Sequence, residues 1–98
     1  MSNLTVKWTI PAFQDFMIYV NYYRKEAGVL ISSKFADELE HSLILLSTMP
    51  NISRPGRKIN TRQYVMQKFP FIIEFRIVNN NLEILAFLHQ KRKLNMVN

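Results

Sequence analysis

Residues 4–10 alternate between apolar and polar side chains, and this pattern predicts a β-strand. The apolar positions are two residues apart, which is the period of a strand that is buried on one face. They are Leu4, Val6, Trp8 and Ile10. Pro11 follows and suits the first turn of a helix, where its missing N–H leaves no hydrogen bond unmade.

Two amphipathic helices are predicted next, because the apolar residues change to steps of three and four. The first helix runs from Pro11 to about Ala27, with an apolar stripe of Phe13, Phe16, Met17, Val20 and Tyr23. Gly28 is expected to cap it with a left-handed backbone. The second helix runs from about Leu30 to Met49 and ends before Pro50, with a stripe of Phe35, Leu39, Leu43, Leu46 and Met49. Helices joined by so few residues pack as an antiparallel hairpin.

The second half of the chain predicts a loop and three strands. The loop covers 51–60, and the strands cover 61–68, 71–78 and 82–89. The inward residues of the first two strands are expected to be Tyr64, Met66, Phe71, Ile73, Phe75 and Ile77. The last strand is apolar on both faces, with Leu82, Ile84, Ala86 and Leu88 on one face and Leu85 and Phe87 on the other. Asn79–Asn81 is predicted to form the tight turn before it.

The predicted element order is therefore β-α-α-β-β-β. It indicates an α+β fold in which an N-terminal helical hairpin packs on one face of an antiparallel sheet. With 98 residues, the chain is expected to form a single domain over 1–98, since a second core would be too small to fold alone.

Composition excludes several classes of protein. The chain has no cysteine, which excludes a disulfide scaffold, a thiolate metal site and a cysteine nucleophile. Its first residues lack the pattern of a secretory signal, and its apolar runs are far shorter than the roughly 20 residues that cross a bilayer. We therefore expect a cytoplasmic protein with no membrane partner.

Charge is distributed unevenly along the chain. Residues 1–49 carry four basic and five acidic side chains, whereas residues 50–98 carry nine basic and two acidic ones. This asymmetry predicts that the C-terminal half meets an anionic partner.

The candidate binding residues are cations of this second half together with one histidine: Arg57, Lys58, Arg62, Arg76, His89, Lys91 and Arg92. Arg62 and Arg76 lie on adjacent predicted strands and are expected to face away from the helices. A sheet face edged by basic loops could hold a phosphate backbone or an acidic peptide. The other interpretation is a solvated basic surface that only aids solubility.

His89 is the candidate for acid–base chemistry, because an unperturbed imidazole titrates near neutral pH. The other interpretation is a histidine at a strand end that is hydrogen-bonded for structure or packs against a partner. The two histidines stand 48 positions apart with no paired carboxylates, so we predict no metal site and no cofactor.

Five strings of residues occur in a characteristic order. The first is Tyr23 to Gly28 followed by Phe35, the second is Met49-Pro50 with Arg54-Pro55-Gly56-Arg57, and the third is Thr61-Arg62. The fourth is Phe69 to Arg76, which is similar to an F-P-Y-x-I-x-Y-R strand. The fifth is Leu88 to Arg92, which is similar to an L-H-x-x-R ending. Together they resemble the RelE/ParE superfamily, the toxins of type II toxin–antitoxin systems, over about 6–94. Gln63, Asn60 and Ser53 depart from it, standing where the family often has glutamate and two glycines.

The resemblance implies one of two activities. Toxins of the ParE branch inhibit DNA gyrase, and those of the RelE branch cut messenger RNA in the ribosomal A site. The L-H-x-x-R ending and the F-P-Y-like strand favour the ParE branch. Our leading hypothesis is therefore a gyrase-inhibiting toxin that is not an enzyme.

A ribosome-dependent mRNA endonuclease is the alternative. Arg62 and Arg76 would then stabilise the charge on the reacting phosphate, and His89 would act as the acid or base. Residues 93–98 contain no tyrosine or second histidine to complete this set. A third possibility is an inactive toxin that only titrates its antitoxin.

The resemblance also implies a cognate antitoxin and a toxin–antitoxin hetero-oligomer. The charge of the chain favours an acidic antitoxin, partly disordered when free, that folds on binding as an amphipathic helix or an extended segment. We expect it to dock on the helical hairpin or on the basic face.

Overall fold

The computed structural model describes residues 3–91. Its elements in chain order are β1 (Thr5–Trp8), α1 (Ile10–Ala27), α2 (Val29–Thr48), a short 3-10 helix (Pro50–Ile52), β2 (Arg54–Pro55), β3 (Arg62–Val65), β4 (Phe71–Val78) and β5 (Asn81–His89). The six predicted elements all form within three residues of their expected bounds. The segment predicted as a loop over 51–60 contains one further strand, the two-residue β2.

The strands form one five-stranded sheet in the order β1-β5-β4-β3-β2. The predicted α+β class and the helical hairpin are confirmed. The expectation of an antiparallel sheet is wrong for one pair, because β1 lies parallel to β5. The chain leaves β1 through the hairpin and returns to the sheet only at β2, so β1 becomes the neighbour of the last strand rather than of the next one.

Helix α1 begins at Ile10, one residue earlier than predicted. Thr9 is its N-cap and accepts a hydrogen bond from the Ala12 N–H, and Pro11 occupies the first turn as predicted. Ile10 was expected to be an inward strand residue, but it is the first helical residue and is 74% exposed.

No helix within the described residues is long and apolar enough to span a bilayer.

The buried face of α1 is rotated from its predicted position. Ala12 and Tyr19 are its buried residues, and Phe16, Val20 and Tyr23 pack beside them against the core. Phe13 and Met17, which were predicted to face inward, are exposed. The small Ala12 has no exposed surface, so the helix contacts the core on the side where that residue lies.

The two helices meet at Gly28, whose backbone has φ 95° and ψ 170°. Gly28 caps the helix with positive φ as expected, but its ψ lies outside the left-handed helical region that was predicted, in a region open almost only to glycine. In α2 the predicted stripe is buried, except at Met49, which lies just beyond the helix end and is exposed. Pro50 then starts the 3-10 helix.

Aromatic rings form the centre of the core between the hairpin and the sheet. The Phe71 and Phe87 rings stack with centroids 4.9 Å apart. Phe35 of α2 lies over both, at 5.0 Å from Phe71 and 5.8 Å from Phe87. All three side chains are fully buried.

An irregularity in the β4–β5 ladder changes which β5 residues face the helices. Glu74 pairs with Ala86 and Phe75 pairs with Ile84, so Leu85 is an extra residue in β5. Such a bulge reverses the alternation of the strand. Phe87 therefore lies on the helix side with Ile84, and the predicted placement of Ala86 and Leu88 beside Ile84 is wrong.

Candidate functional site

The sheet face opposite the helices, here called the outer face, is partly covered by the loop between β2 and β3. Arg57 in this loop donates to Glu74 from Nη2 to Oε1 at 2.7 Å and from Nε to Oε2 at 3.2 Å. Gln63 Nε2 donates to Glu74 Oε2 at 3.0 Å. The Glu74 carboxylate is buried, so these donors replace the water that it would otherwise bind.

The pair holds both side chains in their charged forms. The hydrogen bonds from Arg57 lower the pKa of Glu74, and the bond from Gln63 adds to this, against the opposing effect of burial. The same hydrogen bond raises the pKa of Arg57. Arg57 is thus a predicted binding residue whose charge is already balanced by a carboxylate of its own chain.

Arg62 lies on the helix side of the sheet, which corrects the prediction that it faces away. It is in register with Phe75 and shares its face with Tyr64 of the same strand. Residues two apart on a strand point the same way, so an inward Tyr64 requires an inward Arg62. Its guanidinium donates to the Ser53 Oγ at 2.6 Å and to the Ser53 carbonyl at 2.7 Å.

Arg76 lies on the outer face, as expected. Its Nε donates to Glu83 Oε1 at 2.7 Å across the β4–β5 pair. Glu83 is also in register with Lys7 of β1. The outer face therefore carries a row of alternating charge across three strands rather than an uninterrupted basic surface.

A groove at one end of the sheet brings together Arg62 and Arg76. It encloses about 560 Å³ and is lined by Pro55, Asn60, Thr61, Arg62, Arg76, Ile77 and Val78. It lies where β4 continues beyond the start of β3, since Arg62 pairs with Phe75 and nothing in β3 pairs with Arg76. Both guanidinium groups already make intramolecular hydrogen bonds, so an anion here would compete with Ser53 and Glu83.

His89 lies at the opposite end of the sheet and on the opposite face from Arg76. It is in register with Phe71, five residues from Arg76 along β4, which is about 17 Å. Its ring lies 5.0 Å from that of Phe71 and 6.0 Å from that of Tyr19, and its Nδ1 accepts the Lys91 N–H at 3.0 Å. The structure does not bring the three candidate nuclease residues together.

The remaining candidates are peripheral. Lys58 is exposed in the β2–β3 loop, and its N–H donates to the Thr61 Oγ1 at 3.2 Å. Lys91 is exposed at the end of the described range, and Arg92 lies outside the described residues. Within residues 3–91 there is no group of three or more histidine, aspartate or glutamate side chains that could hold a metal ion.

An apolar outer surface on the hairpin is a feature that the sequence analysis missed. Large apolar side chains are exposed along α1 and at the start of α2; they are Ile10, Phe13, Met17, Ile18, Tyr22, Val29 and Leu30. Single exposed apolar residues are normal, but seven on one helical hairpin make this hairpin a candidate interaction surface. The sequence does indicate this surface, because the predicted first helix has apolar residues on more than one face. We call these seven residues the hairpin apolar surface.

Comparison with known proteins gives consistent matches over most of the chain. Residues 6–94 match the family model described as ParE toxin of the type II toxin–antitoxin system parDE. Y4kP of Sinorhizobium fredii, named as a candidate toxin, is 27% identical over 92 residues, which cover 91% of each chain.

Two solved structures show the same fold. A chain of the chromosomal ParDE system from P. aeruginosa has a TM-score of 0.79 at 22% identity, covering 88% of this chain and 95% of that one. A chain of the RelBE2 toxin–antitoxin complex from Mycobacterium tuberculosis has a TM-score of 0.59 at 21% identity, covering 91% and 93%. At identities of 21–22% these similarities show a shared fold.

Proposed function

This chain belongs to the ParE toxin family of type II toxin–antitoxin systems, and from that membership we propose that it inhibits DNA gyrase and is neutralised by a cognate antitoxin. In this proposal the protein acts in the cytoplasm, by binding and without a cofactor. Gyrase inhibition is the more specific part of this proposal, and the position of His89 supports it.

The separation of His89 from the two arginines is the observation that favours inhibition over RNA cleavage. A ribonuclease needs its acid or base and its charge-stabilising groups around one phosphate, within hydrogen-bond reach. His89 is about 17 Å along the sheet from Arg76 and packs among aromatic rings on the helix side. Arg62 and Arg76 without a nearby base can bind an anion, but they lack a partner for proton transfer.

The hairpin apolar surface supports the antitoxin part of the proposal. Exposed apolar side chains on a free toxin favour association, and an amphipathic segment of a partner would cover them. The solved relatives are themselves described as a toxin–antitoxin system and complex. A hetero-oligomer of this chain with an acidic antitoxin fits both this surface and the net charge of +6.

The groove between Arg62 and Arg76 is the candidate contact with the target. It holds two of the predicted binding residues at an exposed end of the sheet, with Lys58 on the neighbouring loop. Arg76 is half-exposed, so its guanidinium can leave Glu83 for a partner at small cost, because exposed ion pairs contribute little.

The test uses the purified full chain in two assays. We expect it to inhibit supercoiling by gyrase and to leave ribosome-bound mRNA intact. Arg76→Ala should weaken the inhibition, whereas Lys34→Ala, which removes an exposed charge from α2, should not. Cleaved mRNA together with unaffected supercoiling would establish the endonuclease instead.

A further inference from the structure

The loop between β2 and β3 carries an aliphatic side chain at its tip. Ile59 is 89% exposed, more than any other large apolar residue that the structure describes. Lys58 and Thr61 close a β-turn around it, in which the Thr61 N–H donates to the Lys58 carbonyl at 3.2 Å. Asn60 has φ 62°, and a positive φ at the third position of a turn is that of a type II turn. Ile59 therefore occupies the corner of the turn, and its side chain projects into solvent.

Hydrogen bonds and close packing hold this loop in one shape. The Thr61 Oγ1 donates to the Lys58 carbonyl at 2.6 Å and accepts the Lys58 N–H at 3.2 Å. At the neck of the loop the Gly56 N–H donates to the Thr61 carbonyl at 2.8 Å, and a Cβ on Gly56 would lie 2.9 Å from the Thr61 carbonyl carbon. Arg57 ties the loop to Glu74. The tip is thus preorganised, which lowers the entropic cost of binding through it.

Cations surround the tip. Segment 54–62 contains four basic residues and no acidic one; the basic residues are Arg54, Arg57, Lys58 and Arg62. Lys58 precedes Ile59 and is exposed. Asn60, on the other side of Ile59, lines the groove that contains Arg62 and Arg76. A partner therefore meets an apolar tip with positive charge on both sides, which favours a polyanion.

Duplex DNA is the polyanion that suits an aliphatic tip. Proteins that bind the minor groove insert apolar side chains, isoleucine among them, between base steps, and they use arginine and lysine beside the insertion. This groove is only about 6 Å wide, which suits one side chain on a narrow turn better than a helix. Protein interfaces are anchored mainly by tryptophan, tyrosine and arginine. A membrane would need much more apolar surface, since even a myristoyl chain gives only marginal binding.

We propose that the β2–β3 loop binds duplex DNA in the minor groove, with Ile59 inserted between two base pairs and Lys58 on an adjacent phosphate. Arg76 of the neighbouring groove binds a further phosphate, because its half-exposed pair with Glu83 is easily exchanged. Insertion of Ile59 partly unstacks the two base pairs. The inference rests on the proposed function for the setting in which the chain meets DNA, and it adds a DNA contact to that function.

The first experiment mixes the full chain with an A·T-rich duplex of about 20 base pairs that carries 2-aminopurine at a central TA step, which unstacks easily. No gyrase is present. We expect 2-aminopurine fluorescence to rise as the base unstacks. Ile59→Ser should abolish the rise and weaken binding about tenfold, whereas Ile59→Met should retain both. The matched control is Ile44→Ser, which removes an isoleucine that is 59% exposed on α2 and should behave as the wild type does.

The second experiment measures how affinity for the same duplex depends on salt. Lys58→Ala should reduce the slope of log K against log salt by about one, because one phosphate contact is lost. Lys34→Ala, which removes an exposed charge from α2, should leave the slope unchanged. An unchanged slope for Lys58→Ala would contradict the assigned phosphate contact and overturn the proposal.

Two further outcomes would also overturn the proposal. The first is an Ile59→Ser variant that binds the duplex as tightly as the wild type does, with no fluorescence rise in either, because binding would then be electrostatic only. The second is tighter binding to an RNA duplex of the same sequence. Unstacking by a chain that leaves supercoiling unaffected would support this inference and reject only the proposed function. Gyrase inhibition without unstacking would reject only this inference.

Discussion

Arg57 and Glu74 close the β2–β3 loop onto the outer face of the sheet through two side-chain hydrogen bonds, 2.7 and 3.2 Å long. They are 17 residues apart in the chain, and Glu74 is 4% exposed. The loop that covers this face also borders the groove between Arg62 and Arg76. The pair therefore links the stability of the sheet to the shape of the candidate contact with the target.

Removal of Arg57 should destabilise the protein. We expect Arg57→Met to lower the free energy of unfolding by about 2 kcal/mol, since it leaves a buried carboxylate without its charged donor. The measurement is urea denaturation at neutral pH. Lys58→Met removes the neighbouring exposed cation and should change stability by less than about 0.5 kcal/mol. Equal effects of the two substitutions would contradict a structural role for the pair.

Glu74 should also make stability depend on acid. Because Arg57 lowers its folded pKa below the ordinary value of 4.5, its contribution is complete above that pH and is lost as the pH falls through the folded pKa. The urea midpoint of the wild type should therefore drop more steeply below about pH 4.5 than that of Glu74→Gln. Parallel curves for the two proteins would show that Glu74 does not titrate as expected.

Asp15 on α1 should show the opposite sign. Burial raises its folded pKa, so folding disfavours its charged form, and the penalty is relieved as the pH falls through that raised value. Asp15→Asn should raise the urea midpoint at pH 7 and have no such benefit at low pH. A lower midpoint at pH 7 would mean that the Asp15 charge stabilises the fold.

Local pattern predicted the elements of this fold because each element carries its own periodicity. The bounds of β4 are those predicted, and Gly28 and Pro50 end the two helices where expected. The parallel β1–β5 pair has no local signature, because it depends on where the hairpin returns the chain. The bulge at Leu85 also has no recognisable signature in the sequence, yet it determines which side of the sheet the His89 side chain occupies.

The sequence indicated which cations are candidates for the site, but it did not predict how they are arranged in space. Charge counting identified the cations, but Arg57, Arg62 and Arg76 each bind a group of the same chain. Alternation applied consistently from Tyr64 would have placed Arg62 on the helix side. The separation of His89 from the arginines follows only from strand register, which sequence pattern does not supply.

Ring packing, not proton transfer, is the role that the structure supports for His89. We expect His89→Phe to retain growth inhibition on induction, because phenylalanine keeps contact with Phe71 and Tyr19. His89→Ala should lose about 1 kcal/mol of stability, measured by thermal unfolding, because it removes those contacts. Loss of toxicity in the stable His89→Phe variant would revive the endonuclease hypothesis.

Gly28 should tolerate no side chain. Its φ of 95° and ψ of 170° fall in a region that costs other residues about 1–3 kcal/mol. Space is not the obstacle, because a Cβ there would meet nothing within 4 Å. Gly28→Ala and Gly28→Asn should therefore be destabilised alike in thermal unfolding. A clear rescue by asparagine would indicate that the residue adopts an ordinary left-handed helical conformation instead.

Ile18 tests whether the antitoxin covers the hairpin apolar surface. The side chain is 62% exposed near the middle of α1, so Ile18→Glu should leave the unfolding temperature nearly unchanged. Loss of a buried aliphatic contact at an interface should weaken antitoxin binding by about 1.5–3 kcal/mol, or at least tenfold in Kd by titration calorimetry. Gln14→Glu, one turn away on the same exposed side, adds the same charge without removing an apolar group and separates the two effects. If both variants bind the antitoxin as tightly as the wild type does, the antitoxin does not cover this part of α1.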